Sequence, residues 1–145
     1  MKTSPLQSLR PSPRAARRRG AATVEMAIAT PILFLLVFGL FEITHAYMVQ
    51  HLLQDAVRQG CRLGIMPWQS NSTVQARIDN LLEQEGISGA TTSILVNDVA
   101  GDVDVAQAGD DVRVKITLDA ANVTLYPGGG YLLGQLSASY SLKHE

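Results

Sequence analysis

A lone carboxylate stands where the most apolar stretch of the chain begins. Glu25 follows the basic run Arg17–Arg19 and Gly20, and it precedes sixteen residues without a formal charge, Met26–Phe41. An ionised carboxylate is costly in hydrocarbon, so such a group is protonated, paired with a cation or held at the membrane interface. The position of Glu25 therefore suggests charge pairing. The residue types alone also fit a simpler hypothesis, in which Glu25 only marks the membrane edge.

The other candidates for catalysis or metal binding form no recognised pattern. The three histidines are His45, His51 and His144, and no two of them have the spacing of a zinc-binding helix. No motif supports a Ser–His–Asp triad. The segment Pro127–Gly130 lacks the Lys-Ser/Thr pair and the following helix of a phosphate-binding loop. We therefore expect no enzyme, no metal and no cofactor.

A cluster of aspartates and the single cysteine can each be interpreted as structural or as functional. Five aspartates cluster around one loop, where we expect a solvated acidic turn, although calcium also takes several carboxylate oxygens. These residues are Asp98, Asp102, Asp104, Asp110 and Asp111. Cys61 is the only cysteine, so the chain has no internal disulfide. It is expected to be a small buried residue, with an intermolecular disulfide as the alternative.

Charge is distributed very unevenly along the 145 residues. Apolar residues make up 46% and charged residues 17%, which excludes a highly charged disordered chain. The first nineteen residues carry six basic side chains and no acid, whereas all thirteen acids lie further along. This head also contains three prolines and is expected to be disordered. No aromatic residue stands among its arginines and no DNA-binding module follows, so we expect no nucleic-acid partner.

The apolar run is long enough to suggest a membrane span. Sixteen helical residues reach about 24 Å, against a hydrocarbon core of about 30 Å. Flanking residues supply the remainder, which places the span at about 24–46. The basic residues lie on the N-terminal side, so the positive-inside rule predicts a cytoplasmic N-terminus. A cleaved signal peptide is the alternative, but Thr44–Ala46 is a poor cleavage site and the apolar pattern continues beyond it.

The junction before the span resembles the type IV prepilin pattern. Basic residues end in Gly20, a small residue follows, and Glu25 is the fifth residue after the glycine. The resemblance implies that a membrane peptidase cuts between Gly20 and Ala21 on the cytoplasmic face. Such a cut would create an α-ammonium group on Ala21 with a pKa of about 8. In a pilin-like assembly, Glu25 of one subunit would neutralise that group on its neighbour and so set the register.

A wider stretch resembles the TadE-like family of the tight-adherence (Flp, type IVb) pilus system. The resemblance rests on Arg18–Ala27, on Pro31, on Phe38–Glu42 and on Gln54–Arg62. Met26 stands where family members often have Phe or Tyr. The family implies a minor pilin or pseudopilin without catalytic activity. Its partners would be the inner membrane, the prepilin peptidase, other pilin-like subunits and the pilus platform.

Periodicity predicts the elements around this stretch. One helix is expected from about Ala22 to Leu63, with Pro31 removing a backbone hydrogen bond inside it. Past the membrane its apolar stripe would pack on its own domain or on a neighbouring subunit. A second helix is predicted at Thr73–Gln84, capped by Ser72 or Thr73. Two-residue alternation then predicts strands at Thr92–Asn97, at 112–119 and at 136–143, with Pro127–Gly130 as a flexible connection.

These inferences combine into one prediction. We expect an α+β fold with a basic leader at 1–20, a long helix at 21–64 and a small extracytoplasmic domain at 65–145. The chain would be a single-pass protein of a bacterial inner membrane, assembled through its N-terminal helix. The alternative function is an uncleaved membrane anchor that carries a binding or adhesion module. Small or kinking residues would let the helices approach closely, namely Ala22, Ala27, Ala29, Pro31 and Gly39.

Overall fold

The computed structural model describes residues 13–125 and 134–144, and it describes side chains from Gly20 onward. The chain divides into two compact units, Met1–Leu40 and Phe41–Glu145. The predicted flexible connection Pro127–Gly130 lies outside the described residues. In chain order the elements are α1 (Pro13–Gly64), α2 (Asn71–Gln84), β1 (Thr91–Val96), β2 (Val99–Ala100), β3 (Asp111–Asp119) and β4 (Gln135–Lys143). The fold is α+β, as predicted.

Helix α1 begins earlier than the sequence pattern indicated. Its first residue is Pro13, so the prediction of a start near Ala22 is wrong. Proline suits the first helical position because its φ is already helical and its missing N–H would have no partner there. The alanines and arginines that follow are strong helix formers. Residues 1–12 of the basic head lie outside the described part.

Pro31 lies inside α1 without ending it. A proline in this position leaves the carbonyl four residues earlier without its usual donor. For Pro31 that carbonyl belongs to Ala27. The hydroxyl of Thr30 donates a hydrogen bond to the neighbouring carbonyl oxygen, that of Met26, at 2.7 Å. The helix therefore continues through the apolar run, as predicted.

The second unit is built on a four-stranded antiparallel sheet in the order β2-β1-β3-β4. Strand β3 lies in the centre, and its alternating residues Val112, Val114, Ile116 and Leu118 are fully buried. Their partners in register include Ile94 on β1, opposite Val114, and Ala138 on β4, opposite Ile116. One face of the sheet is therefore apolar, as two-residue alternation predicted.

The apolar stripe of α1 is buried in the core of its own domain. Val49, Leu53, Ala56, Val57 and Cys61 are all at most 3% exposed and belong to the same core cluster as the inward residues of β3. The sequence left open whether this stripe packs on its own domain or on a neighbouring subunit, and the structure shows that it packs on its own domain. The stripe is therefore occupied in the single chain.

Helix α2 packs against α1 where the latter has no side chain. A Cβ atom added at Gly60 would stand 2.6 Å from the Cδ1 of Ile78, which is fully buried. The missing side chain thus permits the close approach of the two helices. The cap of α2 is Ser70, which accepts a hydrogen bond from the Thr73 N–H, so the predicted caps Ser72 and Thr73 are wrong by a few residues.

Two features of the sheet differ from the prediction. Strand β1 ends at Val96, and Asn97 and Asp98 form a tight hairpin turn with φ of 53° and 66° that leads into the short β2. Tyr140 alternates along β4 with Leu136, Ala138 and Leu142, whose side chains are buried or half-buried, but it is itself 38% exposed on this edge strand. Its ring centroid lies 6.0 Å from the Arg58 guanidinium carbon.

Candidate processing and assembly site

The predicted cleavage junction lies on an open part of α1. No atom lies within 4 Å of the position that a Cβ would take at Gly20. Ala21, Ala22 and Glu25 are all exposed. The structure therefore places the residues of the predicted site on one accessible helical segment.

Glu25 has no described partner in its own chain. Among the described side chains it takes part in no hydrogen bond or ion pair. Ala21 lies four residues earlier, so the two residues share one face of the helix. A cationic group at Ala21, in the same or in a neighbouring chain, would meet an uncompensated carboxylate.

The apolar run between the two glutamates is exposed all round. Ile28, Leu35 and Leu36 are each more than 60% exposed, and only 6% of the most apolar window of this helix is buried. A helix that is apolar on every side is buried in a large protein or in a membrane. It is the one helix in the described part of the chain that is long and apolar enough to span a bilayer, and it suggests a membrane anchor.

The predicted packing residues do not form a single stripe. Ala22 and Ala29 are seven residues apart and lie on one face of α1, because each residue turns the helix by about 100°. Ala27 is rotated by roughly 140° from Ala22, and Gly39 lies on a third side. A Cβ at Gly39 would meet nothing within 4 Å. Because these small residues lie on different sides of α1, a neighbouring helix could approach it closely from more than one side.

Glu42 has a structural role that the sequence analysis missed. This carboxylate is only 9% exposed, and its Oε2 accepts a hydrogen bond from the Leu125 N–H at 3.2 Å. The partner is distant in sequence, so no local pattern could have identified the contact. The two glutamates that flank the apolar run thus differ, because the Glu42 carboxylate has a hydrogen-bond donor within the chain and the Glu25 carboxylate has none among the described residues.

The acidic loop is held by side-chain hydrogen bonds. Asp110 accepts from the Asn97 side chain at 2.8 Å and from the Gln107 N–H at 2.8 Å, and these bonds lower the pKa of its carboxyl. Asp98 pairs with Arg113, and Asp111 lies 3.5 Å from the same guanidinium. Over residues 13–125 and 134–144, no group of three or more His, Cys, Asp or Glu is arranged to hold a metal ion.

Cys61 is enclosed in the core. Its side chain is fully buried, and the thiol donates a hydrogen bond to the Val112 carbonyl at 3.2 Å. Burial raises the pKa of the Cys61 thiol from an ordinary 9.0 to about 11. The single folded chain therefore presents no accessible thiolate for an intermolecular disulfide.

The comparisons with known proteins give one match. Residues 20–62 match the family model described as TadE-like protein, which is the family suggested by the sequence motifs. The matched segment begins at Gly20, covers most of α1 and is less than half of the chain. No match is found among curated proteins or among solved structures.

Burial of Cys61 predicts low reactivity and a pH-dependent stability. A thiol whose pKa rises on folding favours the folded state below pH 9.0, and this contribution is lost as the pH rises through about 11. We expect a chromogenic disulfide reagent to label Cys61 slowly near neutral pH and rapidly in denaturant. As the pH rises from 9.0 to about 11, the unfolding free energy of Cys61→Ala should fall less steeply than that of the wild type. Equal labelling rates with and without denaturant would contradict the burial of the thiol.

Proposed function

We propose that this chain is a pilin-like subunit of a tight-adherence pilus system, cut by a prepilin peptidase between Gly20 and Ala21. The observation that carries the proposal is the coincidence of three features at one point of α1. The family match starts at Gly20, the segment from Gly20 to Glu25 is exposed, and the largely exposed apolar run begins directly after it. The protein acts through assembly and carries out no catalysis.

The location follows from the charge of the head. The arginine-rich leader would remain on the cytoplasmic side of the inner membrane, while the sheet domain would face outward. This arrangement presents the junction to a peptidase at the cytoplasmic face. Gly20 supplies a backbone without a side chain at the bond that is cut, and the helix has no neighbouring atoms there to block access.

Cleavage would turn Glu25 from an unpaired group into half of an ion pair. The new N-terminus would be an ammonium group that ionises with an ordinary pKa of about 8. A bilayer strengthens the attraction between the two groups because little water screens them. Pairing between neighbours would fix the axial position of one helix against the next. Open faces around Ala22, Ala29 and Gly39 would let the helices come together.

The partners follow from this function. They are the peptidase, other pilin-like subunits that pack along the N-terminal helix, and the platform proteins at the inner membrane. The core stripe of α1 beyond residue 46 is already occupied by the sheet. Subunit contacts through α1 would therefore use its apolar run.

The junction can be tested with two glycines that are equally free of neighbours. Gly20→Val should abolish processing, because the branched side chain crowds the scissile bond, while Gly39→Val should be processed normally. N-terminal sequencing of membrane-extracted protein is expected to show Ala21 as the first residue in the wild type and in Gly39→Val. Wild-type protein that retains Met1–Gly20 in cells with active peptidase would overturn the proposal and favour the plain anchor.

The two glutamates of α1 provide a matched pair for the role of Glu25. Glu25→Ala should abolish or strongly reduce assembly while membrane insertion stays intact, and the unfolding free energy of the domain should change by less than about 0.5 kcal/mol. Glu42→Ala should lower that free energy by about 0.5–1.5 kcal/mol, because the part-buried Leu125 N–H loses its hydrogen-bond partner. Urea unfolding and the yield of assembled material distinguish the two effects. Normal assembly of Glu25→Ala would show that Glu25 has no register role.

A further inference from the structure

Strand β3 runs along α1 in the direction from Cys61 toward Gln50. At one end, the Cys61 thiol donates a hydrogen bond to the carbonyl of Val112. At the other end, the Gln50 amide donates to the carbonyl of Ser137, which pairs in register with Thr117 of β3. Residues 50 and 61 are about 17 Å apart along a helix, and residues 112 and 117 are also about 17 Å apart along a strand. Strand β3 is therefore nearly antiparallel to α1.

The chain that follows β3 reaches the level of the predicted membrane span. The strand continues to Asp119, and past it the Leu125 N–H donates to Glu42 Oε2 at 3.2 Å. The sequence places the span at about 24–46, because the uncharged run alone is shorter than a hydrocarbon core of about 30 Å. Glu42 belongs to that range, so its partner Leu125 lies at the same depth although it belongs to the sheet domain.

Exposed apolar side chains continue past the uncharged run and onto the domain. Ile43, Tyr47, Met48 and Leu125 are each about half exposed or more. Large apolar side chains that stay exposed close together mark a surface that binds a partner or a membrane. Tyrosine is also typical of the boundary between membrane and water, because its ring is apolar and its hydroxyl is polar.

A groove between α1 and β4 opens in the same region. It has a volume of about 260 Å³ and is lined by Ile43, Ala46, Tyr47, Gln50 and Leu136. The two polar side chains that line it, at positions 47 and 50, lie about one and two helical turns beyond Ile43. Pockets for compact ligands usually exceed about 300 Å³, so the size of this groove is better suited to a single alkyl chain.

We propose that this end of the sheet domain is a phospholipid-binding surface. The domain rests in the outer headgroup layer of the bilayer, Leu125 reaches the hydrocarbon, and one acyl chain of a phospholipid lies in the groove. Asp119 limits the depth, because its carboxylate is exposed and a charge is costly in hydrocarbon. The carboxylate therefore stays among the headgroups while Leu125 lies deeper.

The position of the groove favours lipid over a protein partner. Ile43 and Ala46 lie within the predicted span, so lipid surrounds them as soon as the helix is inserted and before any other chain arrives. The apolar surface of the groove is continuous with that of the span along α1. The inference depends on the membrane anchor and goes beyond the proposed assembly role, because it requires neither cleavage after Gly20 nor a second subunit.

Tryptophan fluorescence of the full chain in phosphatidylcholine vesicles tests the depth of Leu125. The reporter is Leu125→Trp combined with Trp68→Phe. Lipid brominated near the carboxyl end of its acyl chains should lower the reporter's emission about twofold or more, because these bromines lie at the edge of the hydrocarbon core. The wild type is the control: its only tryptophan, Trp68, follows the end of α1 at Gly64, about 27 Å from Ala46 along the helix. Its emission should not change.

Photo-cross-linking in the same vesicles tests the groove. Phosphatidylcholine with a diazirine on its acyl chain should label the peptide that contains Leu136. Ala46→Phe places a large side chain in the groove and should reduce this labelling severalfold, whereas Met48→Phe, at an exposed residue that does not line the groove, should leave it unchanged. Circular dichroism confirms that each variant is folded.

Three outcomes would overturn the inference. Quenching of Leu125→Trp that is no stronger than that of Trp68 would show that the domain does not touch the hydrocarbon. An unquenched emission that shifts with the ratio of protein to lipid would assign this surface to a second copy. Absence of labelling at Leu136 in the wild type would show that protein rather than lipid fills the groove. Failure of cleavage at Gly20 is a separate result, because the assay uses uncleaved chain.

Discussion

The uncompensated carboxylate of Glu25 is the constraint on which this account depends. It stands at the start of an apolar helix, exposed and without a described partner, whereas the second glutamate of the same helix is buried and accepts a backbone N–H. A charge left unpaired next to hydrocarbon is unfavourable and favours any state that supplies a cation. The cleavage that we propose supplies one, since it creates an amine four residues away on the same helical face.

Helix α1 presents two different surfaces along its length. Between residues 26 and 41 it is apolar on every side and exposed, so the described chain does not cover it. Beyond residue 46 it is apolar along one stripe, and that stripe packs on β3 of its own sheet. Assembly through the first part therefore leaves the packed domain unchanged.

Periodic patterns in the sequence predicted the elements that depend on local residue order. The stripe of α1 and the alternation of Val112, Val114, Ile116 and Leu118 follow directly from which residues must face a core. The start of α1 and the cap of α2 were misplaced because helix ends depend on a few residues with similar propensities. The contact of Glu42 with Leu125 could not be predicted, because it joins residues that only the folded topology brings together.

The most direct measurement is zero-length carbodiimide cross-linking of assembled material made from equal amounts of isotopically light and heavy subunits. We expect an amide between the α-amine of Ala21 and the Glu25 carboxylate, with mixed light–heavy pairs showing that the two groups come from different copies. Pairs of one isotope only would place the contact within a single chain. Absence of this amide, in material whose N-terminal amine is free and whose other carboxylates do react, would show that Glu25 does not pair with the Ala21 amine of a neighbouring copy.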